Sequence, residues 1–243
     1  MKICIASFKR HETINDKTIG LLLNYGFLPE EIDLFVANKN EYELYKKVVP
    51  EGINIIIAVE GLKNVREFIF NYYDEGEYIL SVDDDIELIV DNHFNEVDNL
   101  KEIIDKGFSL CEKYSLKLWG LYPCRNKHFM NITPEITTDY KFIIGNFYGF
   151  INCKNMNELH VTNIDDYERS IRSCILYGGS ARLNHYCCKT NFKKNEGGAQ
   201  CDPNRESKIK DDMKLLMKMY PNMIHLRKRN DRINPILKQE KKI

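Results

Sequence analysis

The sequence predicts an α/β fold, a single domain with a mainly parallel central sheet flanked by helices. In the first third of the chain, short apolar runs alternate with segments whose apolar residues recur at helical spacing, which is the pattern of βαβ crossovers. The chain has 243 residues, of which 43% are hydrophobic and 29% are charged. This is enough apolar material for one substantial core, and the length fits one large domain.

Strands and helices are expected to alternate as far as residue 86. The predicted strands cover 2–8, 32–37, 53–58 and 78–82. The predicted helices cover 13–25, 41–48 and 62–73. Further helices are predicted over 98–114, 164–177 and 205–220, with Asn163 as the N-cap of the second. A strand is predicted over 181–188, and 117–153 is expected to be strand-rich with a long loop at 126–138.

Charge is distributed unevenly along the chain, although the net charge is only −1. From Arg182 to the C-terminus there are 16 Lys and Arg residues against 7 Asp and Glu residues, so the preceding part is acidic. Such asymmetry indicates either a segment that faces a polyanion or a solvated helix followed by a basic tail.

No apolar run of about 18 residues occurs, and no basic and apolar leader precedes the first strand. We therefore expect a soluble, cytoplasmic protein without a membrane span. The eight cysteines are scattered and form neither a CxxC pair nor a zinc-binding spacing. Reduced thiols in a cytosolic compartment are the expectation.

Three consecutive carboxylates, Asp83, Asp84 and Asp85, directly follow the fourth predicted strand. Ligands of parallel sheets bind beyond the carboxyl ends of the strands. Three like charges together need a cation or strong donors to neutralise them, and Mg²⁺ or Mn²⁺ takes oxygen ligands from carboxylates and phosphates. The pattern favours a metal and diphosphate site. A solvated acidic turn is the structural alternative.

The start of the third predicted helix, residues 61–66 (GLKNVR), combines a glycine with two cations, Lys63 and Arg66. Cations and free backbone N–H groups at a helix N-terminus form a pyrophosphate site. Cations there oppose the helix dipole, so helix stability does not explain them. Ordinary surface charge remains the alternative.

Residues 5–10 (IASFKR), 61–66 and 81–86 (SVDDDI), in this order, resemble the motifs of GT-A glycosyltransferases, Rossmann-like enzymes with a DxD motif. The resemblance implies a nucleotide-sugar donor and a divalent metal ion. By this resemblance, Ser7 and Arg10 would lie near the nucleotide, and Lys63 and Arg66 near the base or diphosphate. Asp83 and Asp85 would lie at the ribose and metal, and Asp84 would be a further donor-binding residue.

Residues 163–170 (NIDDYERS), with 177–179, 181–185, 189–191 and 195–198, resemble the glycosyltransferases associated with TET/JBP oxygenases. That family includes phage enzymes and the base J glucosyltransferase. The resemblance implies a UDP-sugar donor, Mn²⁺ or Mg²⁺, and hydroxymethylated pyrimidine in DNA as the acceptor. For a viral protein the location would be the host cytoplasm. We expect one glycosyltransferase domain over 1–220, with a nucleotide-sugar-binding half (1–90) and an acceptor-binding half (91–220), followed by a basic C-terminal tail (221–243).

Two acidic residues, Asp165 and Asp166, open the helix predicted over 164–177. Inverting transfer needs a carboxylate that accepts the proton of the acceptor hydroxyl. The resemblance to GT-A enzymes makes Asp166 the expected base and Asp165 its neighbour. The alternative is that both residues only complement the helix dipole.

Several later residues are weaker candidates. His185 is a candidate metal ligand, with a hydrogen-bonded structural histidine as the alternative. Gly197 and Gly198 would give a loop that closes over the donor. Four cations could bind the diphosphate or an acceptor backbone, or else form a basic surface turn: Arg182, Lys189, Lys193 and Lys194.

Other functions stay open at this point. A glycan, a lipid or a protein hydroxyl could be the acceptor in place of DNA. A nucleotidyltransferase also combines such a sheet with paired carboxylates, but the loop at Ser7 to Arg10 contains no glycine-rich phosphate cradle. A non-catalytic module that binds polyanions through the basic tail is the remaining alternative.

Overall fold

The structure is a computed structural model that describes residues 1–156, 158–190, 197–229 and 232–238. Its first part alternates strands and helices as predicted. The strands are β1 (Lys2–Ser7), β2 (Ile32–Val36), β3 (Asn54–Ile57) and β4 (Tyr78–Asp83). The helices between them are α1 (Gly20–Asn24), which follows a π-helical turn at Asn15–Ile19, α2 (Lys39–Tyr45) and α3 (Leu62–Tyr72).

The second part contains more strands than the sequence predicts. They are β5 (Ile86–Asp91), β6 (Leu118–Leu121), β7 (Ile136–Thr137), β8 (Phe147–Ile151), β9 (Ala181–Leu183), β10 (Tyr186–Thr190), β11 (Ile224–Arg229) and β12 (Arg232–Leu237). The helices are α4 (Leu100–Tyr114), α5 (Lys127–Ile132), α6 (Asp165–Tyr177) and α7 (Arg205–Met219).

Eight strands of the described chain form one sheet in the order β3-β2-β1-β4-β8-β6-β9-β7. The neighbouring strands β3, β2, β1 and β4 are parallel to one another, and β6 is parallel to β9. The strand β8 is antiparallel to its neighbours β4 and β6, and β7 is antiparallel to β9. Two antiparallel ribbons, β5 with β10 and β11 with β12, lie outside this sheet. The predicted α/β class with a mainly parallel central sheet is confirmed.

Three local predictions are wrong. The segment 181–188 is not one strand, because Asn184 and His185 form a turn between β9 and β10. Asn163 does not cap α6, because that helix begins one residue after Ile164 and the Asn163 backbone N–H donates to Asp212. Residues 126–138 are not a plain loop, since they contain α5 and β7.

The segment 221–243, expected to be a basic tail, contributes the β11 and β12 ribbon. Ile224 and Leu237 of this ribbon are buried in one apolar cluster with Leu216 of α7 and Ile171 of α6. Apolar side chains therefore dock the ribbon onto the two helices. Ile224 and Leu237 thus attach the described part of this segment to the domain.

Two apolar clusters cover the two faces of the main sheet. Residues of β1 alternate between them, because Ile3 and Ile5 belong to one cluster and Cys4 to the other. The first cluster contains Trp119, which is fully buried. Its ring lies so close to Gly107 of α4 and Gly149 of β8 that neither position has room for a Cβ atom.

We predict that Gly149→Ala destabilises the domain by about 2–3 kcal/mol, the scale of an overpacked core. The added Cβ would lie 2.0 Å from Trp119 Nε1, and Gly107 on the other side leaves the rigid indole no space to retreat. Thermal unfolding should show a fall in Tm of about 5–10 °C for a domain of this size. Gly145→Ala is the matched control, because its Cβ would meet its nearest neighbour at 3.4 Å, an ordinary contact. Equal melting of the two variants would contradict the assigned packing.

Two further observations concern the cysteines and the helices. None of the eight cysteines, all of which lie in the described part of the chain, forms a disulfide bond in the structure. Within the described residues, no helix has both the length and the apolar character needed to cross a membrane.

Candidate active site

The candidate site lies where β1 and β4 end at the same edge of the sheet. In the parallel register of these strands, Ala6 is opposite Asp83, so the loop after β1 meets the acidic cluster after β4. The strand β8 is antiparallel to β4, so its N-terminal end lies at the same edge. There the Asp83 N–H donates to the carbonyl of Asn146 at 2.8 Å. Three segments distant in sequence therefore converge here.

The first half of the site is a buried network around Asp84. Ser7 Oγ donates to Asp84 Oδ2 at 2.5 Å, and the Arg10 guanidinium pairs with Asp84 and also with Asp85, at 3.1 Å from Asp85 Oδ2. The Tyr45 hydroxyl lies 2.5 Å from Ser7 Oγ and accepts the Arg10 backbone N–H at 3.0 Å. The described contacts of Ser7 and Arg10 thus hold the acidic cluster in place.

Arg66 forms the second half of the site. Its guanidinium donates to Ser81 Oγ at 2.7 Å, to Asp83 Oδ1 at 2.9 Å and to the Gly145 carbonyl at 3.3 Å. The residue is 3% exposed, so its charge is directed at these partners. Lys63, one turn earlier on α3, lies at the surface with Nζ 3.5 Å from Glu67 Oε1. Arg66 thus fixes Asp83, whereas Lys63 stays at the rim.

The acidic cluster carries more negative charge than its arginines offset. Burial and then the neighbouring Asp85 and Asp84 raise the pKa of Asp83 to about 6, against the opposing effect of Arg66. The Asp83 side chain is 39% exposed, so solvent screens part of this effect. Burial likewise raises the pKa of Asp84, against Arg10 and the hydrogen bond from Ser7. A divalent cation would relieve this excess of charge.

The donor set fits a hard divalent cation with few protein ligands. Asp83 and Asp85 keep exposed side-chain fractions of 39% and 14%, whereas Asp84 is buried. Among the described residues, no group of three His, Cys, Asp or Glu side chains forms a complete ligand set. Mg²⁺ and Mn²⁺ are commonly held by one or two carboxylates, with phosphate oxygens and water completing the shell. Asp83 and Asp85 meet that requirement.

The predicted acidic pair lies in the first turn of α6, and its two members differ. Asp165 is 5% exposed and lies 3.2 Å from Arg169 Nη2. Asp166 is half-buried, and its carboxylate accepts the backbone N–H groups of Gly145 at 3.3 Å and of Tyr167 at 3.0 Å. Burial, and then the charge of Asp165, raise the pKa of Asp166 to about 7. Asp166 is thus a carboxyl with two backbone N–H donors and a raised pKa.

Gly145 connects the acidic cluster with the acidic pair. Its carbonyl accepts from Arg66, the partner of Asp83, and its N–H donates to Asp166. The two groups of carboxylates therefore face a common segment, the chain just before β8. The roles of Gly145, Tyr45 and Arg169 could not be predicted from the sequence, because they arise from contacts between distant segments.

The structure does not bring His185 to the acidic cluster. In the antiparallel ribbon, Thr190 pairs with Ile86, next to the cluster, whereas Tyr186 pairs with Asp91 at the far end. His185 precedes Tyr186, and its Nε2 lies 3.3 Å from the Thr133 carbonyl. The register of β10 thus makes the hydrogen-bonded structural role the better interpretation of this histidine.

The basic candidates lie at different places. Lys189, near the cluster end of β10, has its Nζ 3.3 Å from Glu87 Oε2. Arg182 donates to Asn184 Oδ1 at 2.6 Å and to the Phe142 carbonyl at 3.3 Å. Lys193 and Lys194 lie outside the described residues.

The glycine pair at 197–198 packs against the loop after β1. The Gly198 N–H donates to the Phe8 carbonyl at 2.8 Å. Both glycines have positive φ, and a Cβ at Gly197 would lie 2.5 Å from the Lys9 carbonyl oxygen. Only glycine allows this close approach. The pair therefore anchors the chain beside Arg10, at the border of the candidate site.

No protein-family model and no curated protein sequence matches the chain. Solved structures match its fold. S. aureus TarS 1–349 has a TM-score of 0.53 and 12% identity, over 91% of this chain and 66% of the TarS chain. The same protein in complex with UDP-GlcNAc has a TM-score of 0.54 and 13% identity, over 89% of this chain and 67% of the TarS chain. In complex with UDP it has a TM-score of 0.55 and 12% identity, over 91% of this chain and 66% of the TarS chain.

The chain spans about two thirds of the length of these TarS chains. At this level of identity the likeness concerns the fold. Together with the mainly parallel sheet and its flanking helices, it identifies the fold of this chain as GT-A, the Rossmann-like α/β architecture.

Proposed function

We propose that the protein is a metal-dependent, inverting glycosyltransferase that uses a nucleotide-sugar donor. The observation that carries this proposal is the position of two kinds of carboxylate on either side of Gly145. Partly exposed Asp83 and Asp85 lie at the carboxyl edge of the sheet, and half-buried Asp166 lies across the same segment. One group suits a diphosphate with its cation, and the other suits an acceptor hydroxyl.

On the donor side, Asp83 and Asp85 would hold Mg²⁺ or Mn²⁺, which offsets the charge of the departing diphosphate when bound. Arg10, Arg66 and Ser7 keep the three carboxylates ordered. Lys63 and Lys189, each paired with a neighbouring glutamate, are the proposed phosphate contacts. We propose a UDP-sugar as the donor. The TarS structures support this choice, since that protein is seen with UDP and UDP-GlcNAc.

On the acceptor side, Asp166 accepts the proton of the attacking hydroxyl. The acceptor oxygen forms a bond to the anomeric carbon as the bond from that carbon to the diphosphate oxygen breaks, and the diphosphate leaves with the electron pair. Attack from the opposite side inverts the anomeric configuration. The backbone N–H groups of Gly145 and Tyr167 orient the carboxylate for this step.

For the acceptor we propose hydroxymethylated pyrimidine in DNA, on the resemblance of residues 163–198. The target base would have to leave the duplex or be presented in a single strand. A glycan, lipid or protein hydroxyl is the alternative acceptor, and it predicts transfer that does not depend on nucleic acid.

We expect a UDP-sugar with Mn²⁺ to stabilise the protein in a thermal-shift panel of nucleotide sugars and nucleoside triphosphates. A ligand at about 100 times its Kd adds about 2.7 kcal/mol of stability. That corresponds to a rise in Tm of roughly 5–10 °C for a domain of this size. EDTA should abolish the rise.

Activity assays then separate the classes. UDP release that requires single-stranded DNA with hydroxymethylcytosine, and is absent with unmodified DNA, supports the proposed acceptor. Pyrophosphate release from a nucleoside triphosphate, without any response to nucleotide sugars, would establish a nucleotidyltransferase. A folded protein that responds to neither donor class would favour a binding module.

A further inference from the structure

A column of charged and aromatic groups, buried except at Asp83, joins the acidic cluster to α6. It consists of Asp83, Arg66, Tyr148, Arg169 and Asp165. The guanidinium carbons of Arg66 and Arg169 lie 5.7 Å and 3.8 Å from the centre of the Tyr148 ring. The two arginines are 3% and 0% exposed, and Tyr148 is 1% exposed. The column links α3, β4, β8 and α6.

Arg169 is the unusual member of this column. A fully buried guanidinium is costly unless charge and hydrogen bonds compensate it, and an apolar side chain is often more stable at such a position. Arg169 lies 3.2 Å from Asp165 Oδ2, yet within the described residues none of its side-chain N–H groups has an aligned hydrogen-bond partner. The negative charge of Asp165 and the aromatic face of Tyr148 stabilise the Arg169 guanidinium. Its position is therefore explained better by its effect on neighbouring groups than by fold stability.

The neighbour in question is Asp166. A Cβ placed on Gly145 would lie 3.4 Å from Arg169 Nη2 and 3.8 Å from Asp166 Oδ2, so both groups border the same small space. The charged groups around Asp166 are Asp165 and Arg169 from its own helix and, through the Gly145 carbonyl, Arg66 from α3.

We propose that Arg169 is the positioning residue of the acceptor side, which holds the first turn of α6 against β8 and supplies a positive charge that favours the ionised form of Asp166. This inference rests on the proposed function only in calling Asp166 the base. Asp165 balances Arg169, because its charge raises the pKa of Asp166 whereas the charge of Arg169 lowers it. Burial raises the pKa of Asp166 most, and the opposed charges of this pair adjust the pH at which Asp166 can accept a proton.

The titration of Asp166 tests this role without any substrate. Protein labelled with ¹³C at the aspartate carboxyl carbon is titrated by NMR, and the signal that disappears in Asp166→Asn identifies Asp166. Asp165→Asn removes the negative neighbour, so the midpoint should fall by about one pH unit, the scale of one close charge. Arg169→Met should raise the midpoint by a similar amount. Arg169→Lys, which keeps the charge, should remain closer to the unmodified protein.

Arg169→Met leaves Asp165 without its partner and can fail to fold. The double variant Asp165→Asn with Arg169→Met contains no unpaired charge from this pair. Comparing it with Asp165→Asn alone isolates the effect of Arg169, and the double variant should have the higher midpoint. Equal midpoints in these two proteins would overturn the proposal, as would shifts of the same sign in Asp165→Asn and Arg169→Met.

The activity of the same proteins separates this inference from the proposed function. The acid limb of the kcat profile should move with the NMR midpoint in each variant, while donor KM stays nearly unchanged. Shifted midpoints in a protein that transfers no sugar from any nucleotide sugar reject the glycosyltransferase and retain the role of Arg169 toward Asp166. Unshifted midpoints in a protein that does transfer sugar reject the role of Arg169 alone.

Discussion

Replacing Asp166 with asparagine is expected to lower sugar transfer by about 10²-fold or more, the usual scale of lost general-base assistance. Asparagine has nearly the same shape, and its carbonyl oxygen can still accept the N–H of Gly145. It cannot take up the proton of the acceptor hydroxyl. Because Asp166 lies across Gly145 from the acidic cluster, affinity for the UDP-sugar should change little. Steady-state transfer and calorimetric donor binding on one preparation measure both quantities.

The pH dependence gives the same prediction a second readout. Burial and Asp165 raise the pKa of Asp166 to about 7, and only the ionised carboxylate serves as a base. Transfer by the unmodified protein should therefore rise as pH increases through about 7 and level off above it. The rate of the asparagine variant should lack this rise with pH.

A purely structural role predicts a different outcome for the asparagine variant. An acidic residue that only complements the helix dipole contributes about 0.3–1 kcal/mol, so Tm would fall by a few degrees at most. Transfer would then be near normal once the protein is folded. Asp211→Asn is a matched control, because it makes the same change at an exposed position of α7. A product that retains the anomeric configuration, seen by NMR, would reject inversion whatever the variant does.

The first half of the fold was predictable because its signals are local. Each strand from β1 to β4 is a short apolar run, and each is separated from the next by a segment with helical spacing. The strand β5 was missed, because it follows the acidic cluster without a turn signal and pairs with β10, about 100 residues later. Pairing over such a distance leaves little trace in the local sequence.

The ribbon of β11 and β12 illustrates a different limit. The excess of basic residues from Arg182 onward suggests a solvated tail. Ile224 and Leu226 alternate with polar residues, a strand signal that the charge count hides. Ile224 is buried in a cluster with residues of α6 and α7, which attaches the ribbon to the domain.

The position of the acidic cluster in the sheet could be predicted, whereas the contacts of its carboxylates could be predicted only in part. The end of β4 places the acidic cluster at the ligand-binding edge, as expected for a parallel sheet. Alternation along the chain also separates buried Asp84 from the more exposed Asp83 and Asp85. The pairing of Arg10 with Asp84 and of Arg66 with Asp83 was not predictable, because it depends on how separate loops meet.

Donor binding is expected to depend on a divalent cation and on Asp85. Removing the cation with EDTA, or replacing Asp85 with asparagine, should each weaken UDP binding by at least about tenfold, the equivalent of 1.4 kcal/mol. The reason is that the cation would be absent or would lose one of its two carboxylate ligands, so the charge of the diphosphate would be poorly offset. Glu12→Gln is the control, because it removes one negative charge from the neighbouring loop at a side chain that is 85% exposed.

The two perturbations should also not add, because they remove the same interaction. Isothermal titration of UDP should show that EDTA weakens binding to the unmodified protein and to Glu12→Gln, yet has little further effect on Asp85→Asn. Asp85 also pairs with Arg10, so its loss frees part of that guanidinium. If Asp85 served only to occupy Arg10, Asp85→Asn would bind UDP at least as tightly as the unmodified protein and remain sensitive to EDTA. That result would remove Asp85 from the metal site, and equal affinity of the unmodified protein with and without EDTA would remove the metal itself.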